Sequence, residues 1–365
     1  MMDSMGTAVD EGRSMPAKRA IGNVTASNEL LEMAMGFGPS CVLCAAARLG
    51  VADALGDAER SASEVATACK ADPSSMYRLL RAMAALGLLN ETSPKHFRLT
   101  ALGRPLRRDV PDSAWAAVVF WADLLANFWS QLGECVRTGQ NGAQVMEQAG
   151  IASRWSQEPE AGSIFRAVMG TSPAEDYAPI VDAWPFPASG VVADLGGGGG
   201  ALIRAALERH PNLRGMLVDR DASIDAAAAH FKSTPLADRC ELIAADLSET
   251  VPPGADVYML KHVLHGYTDD KAVAILRHCR DLVPAEGSLL VIEFVLPDVV
   301  SGPAPELVSR FMSDLNMLAV TSGRERSEHE WRQLLEEAGF ALTRNVPVPK
   351  MDVSILEAHP MSTLE

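Results

Sequence analysis

Cysteine is scarce in this chain, six in 365 residues, which excludes a disulfide-stapled scaffold. Cys41 and Cys44 form one CxxC, but it lies in an apolar helical stretch without a second ligand pair, so both are expected to be small core residues. Positive charge is also short. Lys and Arg number 32 against 47 Asp and Glu, a net charge of −15, which argues against a phosphate-binding surface as the main business. No uninterrupted apolar run reaches the ~18 residues of a membrane span; even SCVLCAAARLGVADAL carries Arg48 and Asp53. The opening MMDSMGTAVDEGRSMPAKRA lacks the apolar stretch of a secretory signal. The expectation is a soluble protein of the reducing cytoplasm. What is present is globular in kind: 48% hydrophobic and 22% charged residues, enough for ordinary cores in two or three domains.

Residues 1–27 are polar and patternless, a disordered tail by expectation. From Asn28 to Leu55 apolar residues recur at helical spacing. Ser61-Ala62-Ser63-Glu64 has the form of a capping box, and Asp72-Pro73 opens a further helix read through to Leu89. Asn90 and Glu91 then turn into the short strand HFRLT. Helix, turn, helix and wing make a winged-helix-like unit over 28–110. It is a poor DNA reader: through Val110 there are 13 basic and 12 acidic residues, and the helix that would enter a groove offers only Arg78 and Arg81. Its apolar face fits a protein contact better, most simply a homodimer. Residues 111–185 are helical and carry Trp115, Trp121, Trp129 and Trp155, which either fill a core or line a pocket. Over 186–365 the strand-like runs GVVADL, GMLVD, ELIAAD, ADVYML, SLLVIEFVL, FALTRNV and DVSILEA alternate with helical segments, the rhythm of an α/β, doubly wound, mostly parallel sheet.

The first of those strands runs into five glycines, Gly196 to Gly200, and then a helix. Strand, glycine turn and helix N-terminus let backbone approach a ligand closely. Asp219, at the end of GMLVD, stands where an acid takes ribose hydroxyls. Gly196-x-Gly198-x-x-Ala201 would satisfy the nicotinamide pattern too. Two further acids favour S-adenosylmethionine instead: Asp194, placed to reach a cationic amino group near the loop, and Asp246, at the end of ELIAAD. Any one of them could be a helix cap or a turn residue; the three in order with the loop suit a ligand bearing an ammonium, a ribose and an adenine.

At this point VVADLGGGGG, LVD, AADL, GADVYMLKHVLHGYTDDKAVAILRHCRDLV, SLLVIEFVLP and GRERSEHEW with EEAGF resemble the winged-helix, S-adenosylmethionine-dependent O-methyltransferases, the group of caffeate-type plant enzymes and bacterial tailoring enzymes for aromatic secondary metabolites, including antibiotics. The likeness runs from about Asn28 to Glu357, and KHVLH and GRERS are its most specific pieces. It implies a seven-stranded sheet with a dimerising N-terminal domain. It places Gly196, Gly198 and Gly200 in the cofactor loop, Asp219 at the ribose, Asp246 and Leu247 at the adenine, and Lys261 near the cofactor. It makes His265 the catalytic base, braced by Glu293 and Glu325. It also implies a hydroxyl on an aromatic small molecule as acceptor and S-adenosylhomocysteine as product. Two positions depart from the family pattern. Gly266 and Tyr267 replace the usual Asp and Trp after the histidine, and Arg220 follows Asp219 where Leu is usual, close enough to alter the ribose or adenine edge.

The same residues can be read without the family. His262 and His265 are spaced HxxH, but no third ligand stands at a recognised spacing and HExxH is absent, so no metal is expected. One histidine should point inward and the other outward, with His265, after the strand ADVYML, at the ligand-binding end of the sheet. Glu293 interrupts an apolar strand, where a charge needs a partner: a structural ion pair, or His265. Phe165, Met169, Met312 and Met317 are candidate walls for an aromatic acceptor and equally candidates for plain core. Two alternatives stay open, a cofactor-binding enzyme of other chemistry and a winged-helix regulator with a ligand-sensing domain. Neither membrane nor nucleic acid is an expected partner.

Overall fold

The computed structural model describes residues 26–361 except 171, 172 and 233; residues 1–25 of the expected tail lie outside the described residues. Helices Ala26–Met35, Phe37–Leu49 and Val51–Leu55 lead into strand β1 (Arg60–Ser61) and helix Ala62–Ala68. The expected capping box is formed: the Ser61 hydroxyl accepts from the Glu64 amide and the Glu64 carboxylate accepts from the Ser61 amide. Asp72 caps helix Pro73–Ala85, which stops short of Leu89 because Gly87 takes a φ of 79°. Strands β2 (Leu89–Ser93) and β3 (His96–Leu99) follow, paired in the order β1-β3-β2. The turn is therefore Pro94-Lys95, with Lys95 at φ 66°, and Asn90 and Glu91 belong to the strand rather than to the turn. Val51, Leu55, Val65, Met76, Leu80, Met83 and Phe97 fill this unit's core.

Its first helices are less well covered. Leu30, Leu31, Met33, Met35 and Phe37 are exposed. Cys41 is exposed and Cys44 only half-buried, so the CxxC is not core as expected. The stretch Asn28–Leu49 is also long and apolar enough, by length and composition, to cross a membrane, which a search for uninterrupted apolar runs passes over.

Helical segments from Trp115 to Ala183, including a π-helical stretch at Phe120–Leu125, link this unit to the sheet. The sheet strands are β4 (Gly190–Leu195), β5 (Leu213–Asp219), β6 (Cys240–Ala244), β7 (Val257–Lys261), β8 (Ser288–Leu296), β9 (Arg326–Ser327), β10 (Phe340–Pro347) and β11 (Val353–Pro360). Seven run in the order β10-β11-β8-β7-β4-β5-β6, and the short β9 adds in parallel to β8. The five from β6 to β8 are mutually parallel, while β11 runs antiparallel to both neighbours. Helices cover both faces, so the central strands are buried on both sides and read as continuous apolar runs. The order places β4 beside β5 and β7, so their carboxyl ends, with the glycine loop, Asp219 and Lys261, open on one edge.

Candidate active site

The glycine loop is built by backbone geometry that side chains would obstruct. Gly196, Gly198 and Gly200 take φ of 70°, 57° and 77°. At Gly197, a Cβ would lie 2.5 Å from both Asp194 Oδ2 and Leu217 Cδ1. At Gly198 the position of a Cβ meets nothing within 4 Å, so bare backbone there borders open space. Asp219, at the end of β5, holds this turn, accepting from the Gly198 amide at 2.8 Å and the Arg220 amide at 2.7 Å.

Asp194 is not at the ligand surface. It is 1% exposed, lies under Gly197 and accepts from the Ile203 amide at 3.2 Å. Burial pushes its pKa up to about 7, against a smaller opposing pull from the Ile203 hydrogen bond and from Lys261. The expected direct reach to a cationic amino group is thus corrected: the side chain braces the junction of loop and helix from behind, because the glycines above it leave room only for backbone. Asp246 lies just past the end of β6 and forms a turn, accepting from Ser248 N at 2.9 Å and Ser248 Oγ at 2.6 Å. Exposed Arg220 reaches it at 3.8 Å, across the edge where the sequence placed ribose and adenine. Leu247 beside it is buried, with Cδ1 3.7 Å from where a Gly196 Cβ would stand. Lys261 closes β7 half-buried, its Nζ 5.0 Å from the centre of the Tyr177 ring, and burial lowers its pKa despite Glu293 and Asp194.

After Lys261 the chain makes a short 3-10 turn, Leu264–Gly266, entered through His262 at φ 51°. That unusual dihedral points the amides of Val263, Leu264 and His265 at one buried oxygen, Glu293 Oε1, at 3.0, 3.1 and 3.4 Å. Its other oxygen pairs with His262 Nδ1 at 3.1 Å and stands 3.6 Å from His265 Nδ1. The direct partner of His265 is Glu325, Nδ1 to Oε1 at 2.8 Å, and Ser313 Oγ donates to the same oxygen at 2.8 Å. The two rings stack, centroids 5.2 Å apart at 27°. The expected inward–outward split of the histidines therefore fails: both are drawn in, because each finds a carboxylate. The two acids divide the hydrogen bonds, Glu325 taking the His265 ring and Glu293 the turn amides and the His262 ring.

Electrostatics separates the histidines further. Burial pulls both imidazoles down. At His265 the charges of Glu293 and Glu325 outweigh it and the pKa is raised, whereas at His262 burial prevails and the pKa is lowered. Burial also opposes ionisation of Glu293, yet the facing histidines and amides hold its pKa below the usual value. A carboxylate only accepts, so Nδ1 of His265 carries the hydrogen toward Glu325, and in the neutral imidazole Nε2 keeps its lone pair.

The acceptor candidates sit on two helices. Phe165 and Met169 lie on Ala161–Met169, whose trailing Gly170 abuts Gly199 of the loop. Phe165 packs on Phe120 and Trp155 with its ring partly exposed. Met312 and Met317 lie on Val308–Val320, the helix whose Ser313 touches Glu325. Met312 is exposed and Met317 half-buried, so none of the four is plain core. Ser313, Gly197 and the pairing of His262 went unread in the sequence; an unbroken run of five glycines was the one available signal for Gly197.

The family model for the O-methyltransferase domain matches residues 129–341, and that for the O-methyltransferase dimerisation domain residues 31–109. The chain belongs to the S-adenosylmethionine-dependent O-methyltransferases. Among relatives of the methyltransferase, the O-demethylpuromycin-O-methyltransferase of Streptomyces alboniger is 36% identical over 92% of this chain and 90% of its own. The 8-amino-8-demethylriboflavin N,N-dimethyltransferase of Streptomyces davaonensis is 32% identical over 87% and 90%. A solved O-methyltransferase from neocarzinostatin biosynthesis, in complex with S-adenosylmethionine and 2-hydroxy-5-methyl naphthoic acid, superposes with a TM-score of 0.74 at 30% identity, covering 88% of this chain and 96% of that one. The residues here fit the cofactor, since the bare backbone at Gly198 leaves the space that a Cβ would fill.

Proposed function

We propose that this enzyme methylates a hydroxyl on an aromatic small molecule of secondary metabolism, in the cytoplasm and as a homodimer, with His265 as general base. The observation that carries the reading is the His265–Glu325 pair at 2.8 Å, on the turn directly after β7 and beside the glycine loop. Gly196, Gly198, Gly200, Asp219, Arg220, Asp246, Leu247 and Lys261 would hold S-adenosylmethionine, which supplies an electrophilic methyl group when bound. Phe165, Met169, Met312 and Met317 would border the acceptor. A free phenol has a pKa of ~10 and histidine ~6.5, so full proton transfer in water is uphill by roughly 5 kcal/mol. Glu325 and Glu293 narrow that gap by raising the imidazole's affinity for a proton. Nε2 of His265 takes the phenol proton as the oxygen becomes nucleophilic, and Glu325 holds the Nδ1 hydrogen throughout. Orientation of the oxygen by the pocket supplies the rest.

The neutral His–carboxylate pair favours an acceptor that must lose a proton, hence a hydroxyl over an amine already bearing a lone pair. The test is single-turnover methylation of a panel of phenolic acids, polyketides and phenazines, read by mass spectrometry, with S-adenosylhomocysteine affinity measured in parallel. His265→Ala should lose ~100- to 10,000-fold in rate and keep its affinity. Retention of more than about a third of the wild-type rate, far above the loss expected for a missing base, would remove His265 as the base.

A further inference from the structure

Arg326 is among the largest fully buried side chains of the described residues, and its guanidinium is held by a carboxylate and by backbone carbonyls. It projects from β9, one residue after Glu325. Nε and Nη2 both donate to Asp269 Oδ1, at 2.9 and 2.6 Å. Nη2 also donates to the Tyr267 carbonyl at 3.1 Å, and Nη1 to those of Leu264 and Arg324 at 3.3 Å. The guanidinium carbon stands 4.9 Å from the centre of the Trp331 ring. Leu264, Tyr267 and Asp269 flank His265 and Gly266 on both sides.

Two more contacts bear on the same segment. The Arg324 amide donates to the His265 carbonyl at 2.8 Å, and a Cβ on Gly323 would stand 2.0 Å from that oxygen. Gly266 itself has nothing within 4 Å of where a Cβ would be, and its hold on the turn is its amide, which donates to the Val263 carbonyl at 3.1 Å.

We infer that Arg326, with Asp269, is the positioning residue for the base. Residues 323–326 grip the turn from two directions: Glu325 takes the imidazole, while Arg326, Gly323 and Arg324 fix the backbone that carries it. Glu325 immediately precedes β9 and Arg326 opens it, and this one dipeptide serves ring and main chain together. The planar fork of arginine meets a carboxylate and two carbonyls of 264–269 at once; a lysine's point charge cannot. An offset of the ring by an ångström is enough to slow proton transfer about a hundredfold.

This inference rests on His265 being the base, so its test includes a readout that does not depend on turnover. Asp269→Ala removes the exposed end of the clamp and leaves the buried guanidinium with its carbonyls; Arg326→Lys keeps the charge and loses the fork. In both, S-adenosylhomocysteine affinity should stay within twofold of wild type and single-turnover rate should fall roughly tenfold or more, with little change in the acceptor's KM. The imidazole titration of His265, followed by NMR, should shift back toward the ordinary histidine value as the ring loosens from Glu325. Folded variants with wild-type rate and an unmoved titration overturn the clamp. A moved titration with wild-type rate upholds the clamp and counts instead against His265 as base. Should Arg326→Lys fail to fold, Asp269→Ala alone decides between these results.

Discussion

His265 owes its chemistry to two acids that lie 28 and 60 residues away in the chain. Its raised pKa carries a definite sign. In the proposed mechanism the neutral imidazole is the base, so methylation should rise with pH along a limb centred above ~6.5, the ordinary histidine value. The folded protein holds the imidazole's proton more tightly than the unfolded chain. The resulting stabilisation is complete below ~6.5 and is lost as pH rises through the raised value. His262 has the opposite sign: its lowered pKa makes protonation below ~6.5 destabilising. A rate–pH profile of the wild type and of His265→Ala checks the first part, since the limb should be present in one and flat in the other. A limb that persists in His265→Ala would assign the titration elsewhere.

The glycine loop is the element whose tolerance to change can be ranked in advance. At position 198 a residue with a Cβ would be strained only by the left-handed backbone, with open space beside it, and Gly198→Ala should lower stability by about 1 kcal/mol. Gly197 has no such dihedral, but its added methyl would strike a buried carboxylate and a buried leucine at 2.5 Å. Neither can swing away into solvent, so Gly197→Ala should cost about 1–3 kcal/mol. It should also weaken S-adenosylhomocysteine binding, because the loop must rise. Thermal denaturation and calorimetry of the two variants give the comparison; equal losses would show that the close approach at Gly197 relaxes freely. The family resemblance singled out Gly196, Gly198 and Gly200 as the working residues. Gly197 lies between them, and its crowding by Asp194 and Leu217 beneath the loop depends on where β5 sits.

For the whole molecule the unpartnered surface is the apolar face of the first helices, where Leu30, Met33 and Phe37 are 65%, 77% and 68% exposed. Exposed apolar residues gathered on one face mark an interaction site, and the face, apart from Leu30, lies within residues 31–109, the region matched by the dimerisation domain. The enzyme should be a dimer by light scattering at micromolar concentration, and the double variant Leu30→Glu, Phe37→Glu should be a monomer. A monomeric wild type would remove this reading.

The sequence by itself determined the strand runs of the sheet, the capping box at Ser61, the glycine turn after GVVADL and the presence of His265, Glu293 and Glu325. These are local matters, of periodicity, of turn chemistry and of short motifs, and short range suffices to specify them. Tertiary structure alone decided which acid serves which histidine, that Asp194 lies behind the loop and that Arg326 is sealed inside. The first and last of these depend on β8 and β9 being parallel neighbours and on the dihedral at His262, which bring residues dozens of positions apart to within 3 Å; the second depends on β4 and β5 lying side by side beneath the loop. Side-chain partners at that separation are set by sheet order and loop geometry, and no pattern along one segment encodes them.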